Sequence, residues 1–434
     1  MALLLQETEQ GSPRPPPAAD DADAHPRQPA ARRPKSQKSQ HCAPPSCPTA
    51  GGGCHIPDDI LLEILRRLPV KALCRFKCVS RAWLALAADC LRTVPPTLQG
   101  LFYRDGKGPN RRHGFFDLSG CSAAAPPVDP SFPFLPALPP ETEQTTLVDS
   151  CNGLLLLWRT GHPDPDALRR ASLGYIVCNP ATREWAAVPP RSDVEKSEIS
   201  ITRIIFDPAA ASPSRFDLVQ FLFESPMNGG AFQVHTYSSE SRAWTRRGTE
   251  CWSDEFLRTQ YGCTFLNGTI HFCVLCGTGD DGYRYGIVAV DGRGQRRRII
   301  RWPQVEPGGT LVFLGQSRGL LHCMVGHRDQ DSGLLTKLSI WVLEDYGTEQ
   351  WVRKGTVSSM HLFGETGCSL SLATVAIHPD RSLAFFLHAL KWKLVSYDMD
   401  SGEVTALGTL DDGHFPVIPY IPYFGESLAL ARKH

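Results

Sequence analysis

Ile56-Pro57-Asp58-Asp59-Ile60-Leu61-Leu62-Glu63-Ile64-Leu65-Arg66-Arg67-Leu68-Pro69-Val70-Lys71-Ala72-Leu73-Cys74-Arg75-Phe76-Lys77-Cys78-Val79-Ser80-Arg81-Ala82-Trp83 holds three short helical patterns in succession, punctuated by Pro and Ser. So little chain cannot bury a core of its own, and the segment needs a partner to complete its packing. From about residue 97 onward the chain reads instead as strands and turns. A small helical element ahead of a large β platform points to an adaptor before it points to an enzyme.

The first helix is expected to start at Pro57 or Asp58, with Asp58 and Asp59 complementing the positive end of the helix dipole. Ile60, Leu61, Ile64, Leu65 and Leu68 then recur at helical spacing, and Pro69 stops the helix. Leu62 lies off the centre of that stripe and is expected to face outward. A second helix from about Val70 to Cys78 carries Leu73 and Phe76, and Ser80 is placed to cap a third helix bearing Trp83, Leu84 and Leu86.

This order of residues resembles the F-box. The likeness rests on an apolar-Pro opening (Ile56-Pro57), an apolar first helix, a second Leu-Pro pair (Leu68-Pro69) and Cys78-Val79-Ser80-Arg81-Ala82-Trp83. The family more often has Leu at the position of Ile56. The resemblance implies binding to a Skp-type adaptor, and through it to a cullin and a RING subunit. Carried over from that pattern, the adaptor-binding residues are Ile56, Pro57, Ile60, Leu68, Pro69, Val79 and Trp83. Leu62 joins them from the helical wheel.

Composition narrows the class. Forty-five basic and forty-five acidic residues balance at formal net zero, which argues against nucleic acid or a membrane surface as partner. No apolar run reaches the length of a membrane span. The start, Met1-Ala2-Leu3-Leu4-Leu5-Gln6-Glu7, lacks the charge and apolar run of a signal peptide. Fifteen cysteines without a framework then suggest reduced thiols in the cytoplasm or nucleus. Residues 1–54 are expected to form a disordered tail, because from residue 9 on they hold almost no large apolar side chains to offset ordering entropy. Arg32-Arg33-Pro34-Lys35 within it reads as a solvated basic patch.

From Leu98 the sequence repeats itself. Asn152-Gly153 running into Leu154-Leu155-Leu156-Leu157 is echoed by Asn267-Gly268 before Thr269-Ile270-His271-Phe272 and by Arg318-Gly319 before Leu320-Leu321-His322. A strand, a polar turn and an aromatic follow each, as in Tyr175-Ile176-Val177-Cys178-Asn179-Pro180-Ala181-Thr182-Arg183-Glu184-Trp185. Further copies lead to Trp244 and to Trp351, and Tyr397-Asp398 with Ser401-Gly402-Glu403 is a last one. A period of roughly fifty residues fits kelch-like propeller blades of four strands. Tryptophans are then expected between blades. Cys151-Asn152-Gly153-Leu154 and Cys178-Asn179-Pro180 also resemble the F-box-associated domains of large plant F-box families, a resemblance that implies a substrate-recruiting propeller.

The expected fold is therefore α+β and multidomain: a three-helix F-box at 55–95, then an all-β propeller of about six blades at 97–430, closed by strands near 394–428 meeting the region around 98–118. Three patterns invite chemistry. Gly315-Gln316-Ser317-Arg318-Gly319 matches a nucleophile elbow, but a strand rather than a helix follows it. Cys273 and Cys276, with His271 nearby, suggest zinc, yet in a strand the two thiols point to opposite faces. Arg296-Arg297-Arg298 reads as charge protecting a strand edge. No cofactor, metal or catalytic residue is assigned. The expected function is the substrate receptor of a Skp–cullin–F-box ubiquitin ligase, with an unknown protein held by the propeller. A propeller that binds or transforms a small molecule, with the F-box as a regulatory handle, and a cullin-independent scaffold are the alternatives.

Overall fold

Pro57 caps the first helix, α1 (Asp58–Arg66), whose opening turn carries Asp58 and Asp59 and whose first amides, on Ile60 and Leu61, donate to the Pro57 carbonyl. Ser80 caps α2 (Arg81–Thr93): its hydroxyl accepts from the Trp83 N–H at 3.2 Å and its carbonyl from Leu84. The structure, a computed structural model, describes residues 57–68, 72–73, 76, 79–93, 97–105, 112–118, 128–135, 144–160, 174–191, 199–208, 215–223, 233–247, 255–257, 262–277, 283–303, 309–365, 372–388, 390–410, 413–425 and 428–430. The expected tail, most of the middle helix, Ile56, Pro69, and Cys42, Cys47 and Cys54 lie outside the described residues.

The helices share a small core of Leu65, Leu73 and Cys90, against which Leu62, Leu68, Phe76, Trp83 and Leu86 pack. This corrects the helical wheel. Leu62 faces inward, close enough for the Cys90 thiol to donate to its carbonyl at 3.8 Å, whereas Ile60 and Ile64 stand 50% and 48% exposed. The stripe that packs runs through Leu62, Leu65 and Leu68, one residue around from the centre that simple counting gives. The partner surface, α2 and Phe76, lies on that side.

Beyond the helices come β1 (Gly100–Asp105) and β2 (Arg112–Asp117), then blade 1 with β3 (Gln144–Cys151), β4 (Leu154–Thr160), β5 (Tyr175–Asn179) and β6 (Glu184–Val188). Blade 2 holds β7 (Ile199–Phe206), β8 (Phe216–Phe223), β9 (Gln233–Ser238) and β10 (Ala243–Arg247). Blade 3 holds β11 (Glu255–Leu257), β12 (Cys263–Leu266), β13 (Thr269–Gly277), β14 (Tyr283–Asp291) and β15 (Arg296–Arg301). Blade 4 holds β16 (Gly309–Ser317), β17 (Leu320–Arg328), β18 (Leu335–Asp345) and β19 (Gln350–Ser358), and a short α3 (Ser359–Phe363) leads to blade 5. Blade 5 holds β20 (Leu372–Ile377), β21 (Leu383–His388), β22 (Lys393–Asp398) and β23 (Val404–Thr409), and β24 (Gly413–Tyr420) follows. All these sheets are antiparallel; in blade 3 both β11 and β12 pair with β13, and β24 joins β1 and β2 in the sixth, with Gly100 opposite Tyr420 and Phe102 opposite Ile418. The described residues thus form a six-bladed propeller closed by its first and last strands, as expected from the unsatisfied edges an open array would expose.

Each seam between blades has its own apolar core. Leu154, Leu156 and Val177 meet Phe206, Phe216 and Leu218 between blades 1 and 2. Val219 and Phe221 meet Ile270 and Phe272 at the next seam, and Leu311, Leu321 and Cys323 meet Cys273 and Ile287 at the one after. Phe313 and Ile340 meet Phe386 and Tyr397; Phe385 and Leu387 meet Leu101; Phe102 and Tyr420 meet Leu155 and Ile176. A blade is apolar on both faces, so its strands read as continuous apolar runs. Two tryptophans tie these seams: Trp244 Nε1 donates to the Pro189 carbonyl at 2.7 Å and Trp351 Nε1 to the Arg301 carbonyl at 2.8 Å.

Turn chemistry repeats with the blades. Asn152-Gly153 and Asn267-Gly268 both have positive φ at both positions (46° and 93°, 53° and 75°), as a two-residue hairpin turn requires. Asn179, Asp291, Asp345 and Asp398 each end a third strand and accept backbone N–H groups of the turn that follows. In a four-stranded meander the first and third turns lie at one end of the sheet. The Asn152-Gly153 and Asx turns therefore share one face of the ring.

Candidate functional site

Two regions carry the side chains that sequence reasoning singled out. On the helical element, Ile60 and Ile64 are neighbours one turn apart on the exposed side of α1, over a shallow hollow edged by Asp59, Glu63 and Arg67. Arg67 reaches back to Glu63 at 2.9 Å, an exposed pair worth at most about 0.5 kcal/mol. Val79, 61% exposed, and Leu84, 38% exposed, add apolar surface before and at the start of α2. Pro57 is exposed, while Leu68 and Trp83 are half-buried in the helical core, Trp83 with its ring centroid 5.0 Å from that of Phe76. Of the sequence-assigned residues, Pro57, Ile60 and Val79 thus present surface, and Leu62, Leu68 and Trp83 hold the surface in shape. Ile64 and Leu84 were missed as surface. The signal was available, since Ile60 and Ile64 are interleaved with Asp59, Glu63 and Arg67.

In the propeller, Ser317 is 1% exposed at the end of β16, and its hydroxyl donates to the His378 carbonyl at 2.7 Å. β17 follows after the Arg318-Gly319 turn, so the serine ties blade 4 to blade 5. Cys273 is buried in the seam between blades 3 and 4, where burial pushes its thiol far above the ordinary range; the Cys276 side chain lies outside the described residues. His271, fully buried, pairs through Nε2 with the Tyr346 hydroxyl at 2.8 Å, and burial lowers its imidazole to about 4. It is neutral at physiological pH.

Arg298 departs from the solvated-edge reading. Its guanidinium donates to the carbonyls of Tyr346 and Gly347 and pairs with Glu349 at 2.9 Å, bracing blade 3 against the third turn of blade 4. Arg296 and Arg297 side chains lie outside the described residues.

The innermost strands of three consecutive blades bring together Asp149, Arg203 and Cys263, a constellation the sequence did not suggest. Burial raises the Asp149 carboxyl, against the pull of Arg203 and the Ile204 N–H it accepts at 3.0 Å. Burial also pushes the Cys263 thiol up to about 12, so it is no nucleophile at neutral pH. Among the described residues no three His, Cys, Asp or Glu side chains are placed to hold a metal ion. No helix among them is long and apolar enough to cross a membrane.

Comparison with known proteins adds identity to this geometry. Residues 109–414 match the family model described as F-box protein At3g26010-like, beta-propeller, and residues 54–94 match the F-box domain. The propeller description makes no mention of kelch repeats. Among individual proteins, the chain is 27% identical to F-box protein At5g49610 of Arabidopsis thaliana over 353 residues, covering 74% of this chain and 87% of that one. It is 24% identical to putative F-box protein At1g30920 of Arabidopsis thaliana over 313 residues, 68% of this chain and 72% of that one. F-box protein At3g26010 of the same plant is 26% identical over 228 residues, half of this chain and 49% of the other.

Proposed function

Because the chain belongs to the F-box protein At3g26010-like β-propeller family and carries an F-box ahead of the ring, we propose that it is the substrate-recognition subunit of a Skp–cullin–F-box ubiquitin ligase. The F-box docks on a Skp-type adaptor, which connects it to a cullin and a RING subunit, and the propeller holds a target protein. The observation that carries this reading is the exposed apolar pair Ile60 and Ile64 on an F-box helix whose other side is already packed. An isolated pair of isoleucines on so small a unit gains roughly 1.5–3 kcal/mol per side chain when covered by a partner.

The chain makes and breaks no bond in this scheme. It contributes proximity, holding a lysine of the target near the thioester carried by another subunit. Two features of the ring support a non-catalytic role. Ser317, in the elbow-like motif, is committed to a backbone carbonyl of the next blade, and the thiols of Cys263 and Cys273 are held protonated by burial. The formal charge balance supports a protein partner rather than nucleic acid or a membrane surface. We place the complex in the cytoplasm, the nucleus or both.

Affinity purification of the full chain, with and without proteasome inhibition, tests the proposal. A Skp-type adaptor and cullin are expected in both samples, with at least one further protein enriched under inhibition. Deletion of residues 57–93 is expected to remove the adaptor and cullin and leave the further protein. Recovery of the adaptor by the deletion variant would sink the assignment.

A further inference from the structure

A side chain from the far end of the chain bridges the ring and the helical unit. Phe424, four residues past the end of β24, is half-buried against the helical core of Leu65, Leu73 and Cys90. Its neighbour Tyr423 faces the other way, into the ring. The Tyr423 ring packs edge-on against Phe206 at 5.0 Å between centroids, and its carbonyl accepts from Asn179 Nδ2 at 2.8 Å. Gly153 touches the same residue so closely that an added Cβ would lie 2.4 Å from the Tyr423 Cβ. Downstream, Leu430 is fully buried in the seam between blades 1 and 2. The backbone on both sides of Phe424 is thus fastened to the ring, while its side chain is fastened to the helices.

The covalent connection between the two parts runs separately, from Thr93 at the end of α2 to Leu98, which is buried in the seam of blades 5 and 6. Two bodies joined by one strand of chain pivot about it, and relative motion is the default unless a second contact prevents it. We propose that Phe424 is a positioning residue, the second attachment that makes the F-box and the propeller move as one body. It fixes the adaptor-docking face of α1 at a set distance and angle from the ring. Its consequence for ubiquitin transfer rests on the receptor reading above, but the joint itself does not.

The test uses the full chain with spin-labelled non-natural residues at exposed Asp59 and Arg353, read as a dipolar distance distribution. The unsubstituted chain is expected to give one narrow distance. Phe424→Ala is expected to broaden it at least about twofold, and Tyr423→Ala, which leaves the helical core untouched, is expected to do the same. Phe424→Leu is expected to keep the narrow distribution. Capture of the adaptor by Phe424→Ala, measured in parallel, is expected to stay within about twofold of the unsubstituted chain. An unchanged width in both alanine variants overturns the proposal. So does a Phe424→Ala chain that loses adaptor capture, which would make the side chain a plain part of the F-box core. Failure of the unsubstituted chain to capture any adaptor counts against the receptor reading alone, since the distances are read without it.

Discussion

The indole N–H of Trp351 donates to the carbonyl oxygen of Arg301 at 2.8 Å across the seam between blades 3 and 4. Trp244 does the same to Pro189 two blades earlier in the ring, so these two tryptophans of the sequence repeat act as ties between blades. Trp351→Phe keeps the ring and removes the donor, and is expected to lower unfolding free energy by about 1 kcal/mol in urea titration. Trp351→Ala also removes packing surface and is expected to cost more than Trp351→Phe.

Closure of the ring gives a second expectation. Phe102 is fully buried between β24 and blade 1, with Tyr420, Phe115 and Phe132 around it at 4.8–5.5 Å between centroids. Phe102→Ala is expected to destabilise the propeller by about 3–5 kcal/mol. Scanning calorimetry checks it, and an unchanged melting temperature would mean that β1 does not close the ring.

Stability is expected to fall with acid, and His271 sets the window. Its folded-state value of about 4 lies below the ordinary histidine value of 6.5, so below pH 6.5 the unfolded chain binds the proton first. The stability carried by the neutral, buried ring is complete above that pH and is lost as pH falls toward 4. Burial also lowers His113, His322 and His378, which act in the same direction. At pH 5 the His271 share alone is about 2 kcal/mol relative to pH 7.5. Urea midpoints at the two pH values, compared with those of His271→Gln, measure it.

On the helical element, exposed and packed residues are expected to separate cleanly. Ile60→Asp with Ile64→Asp should abolish adaptor capture in a pull-down while the helical circular dichroism is retained. Leu65→Ala, at 1% exposure, is expected to destabilise the element by about 2–5 kcal/mol and to lose adaptor capture only through unfolding. Leu62→Ala belongs with Leu65→Ala.

Much of this was legible from residues alone. Alternating turns and apolar runs disclosed a propeller of about six blades, because Asn-Gly at a hairpin and Asx at a third-strand end are demanded by local backbone geometry. The F-box order of Pro, Leu and Trp was likewise local. What escaped was the rotation of α1 about its own axis. A nine-residue helix with five apolar side chains has no single apolar face, and only the position of α2 decides between Ile60 and Leu62. Arg298 escaped for a similar reason. A run of arginines says nothing about which carbonyls of the next blade lie within reach. Nor does any pattern in sequence bring Asp149, Arg203 and Cys263 together, since each comes from a different blade. Phe424, more than three hundred residues from the helices it touches, is the extreme case.

Pairing of β1 with β24 also sets an order of events during synthesis. The F-box leaves the ribosome first and is complete long before the ring, which cannot close until Tyr420 has emerged. Throughout that interval β1 waits unpaired on one side, and under the receptor role proposed above the nascent chain would occupy an adaptor before it grips a target. Any product ending short of Tyr420, from a premature stop or a proteolytic cut, keeps that half-competence permanently. Such a fragment would compete with intact receptors for adaptor and deliver nothing, so a late truncation of this chain is expected to act dominantly rather than as a simple loss.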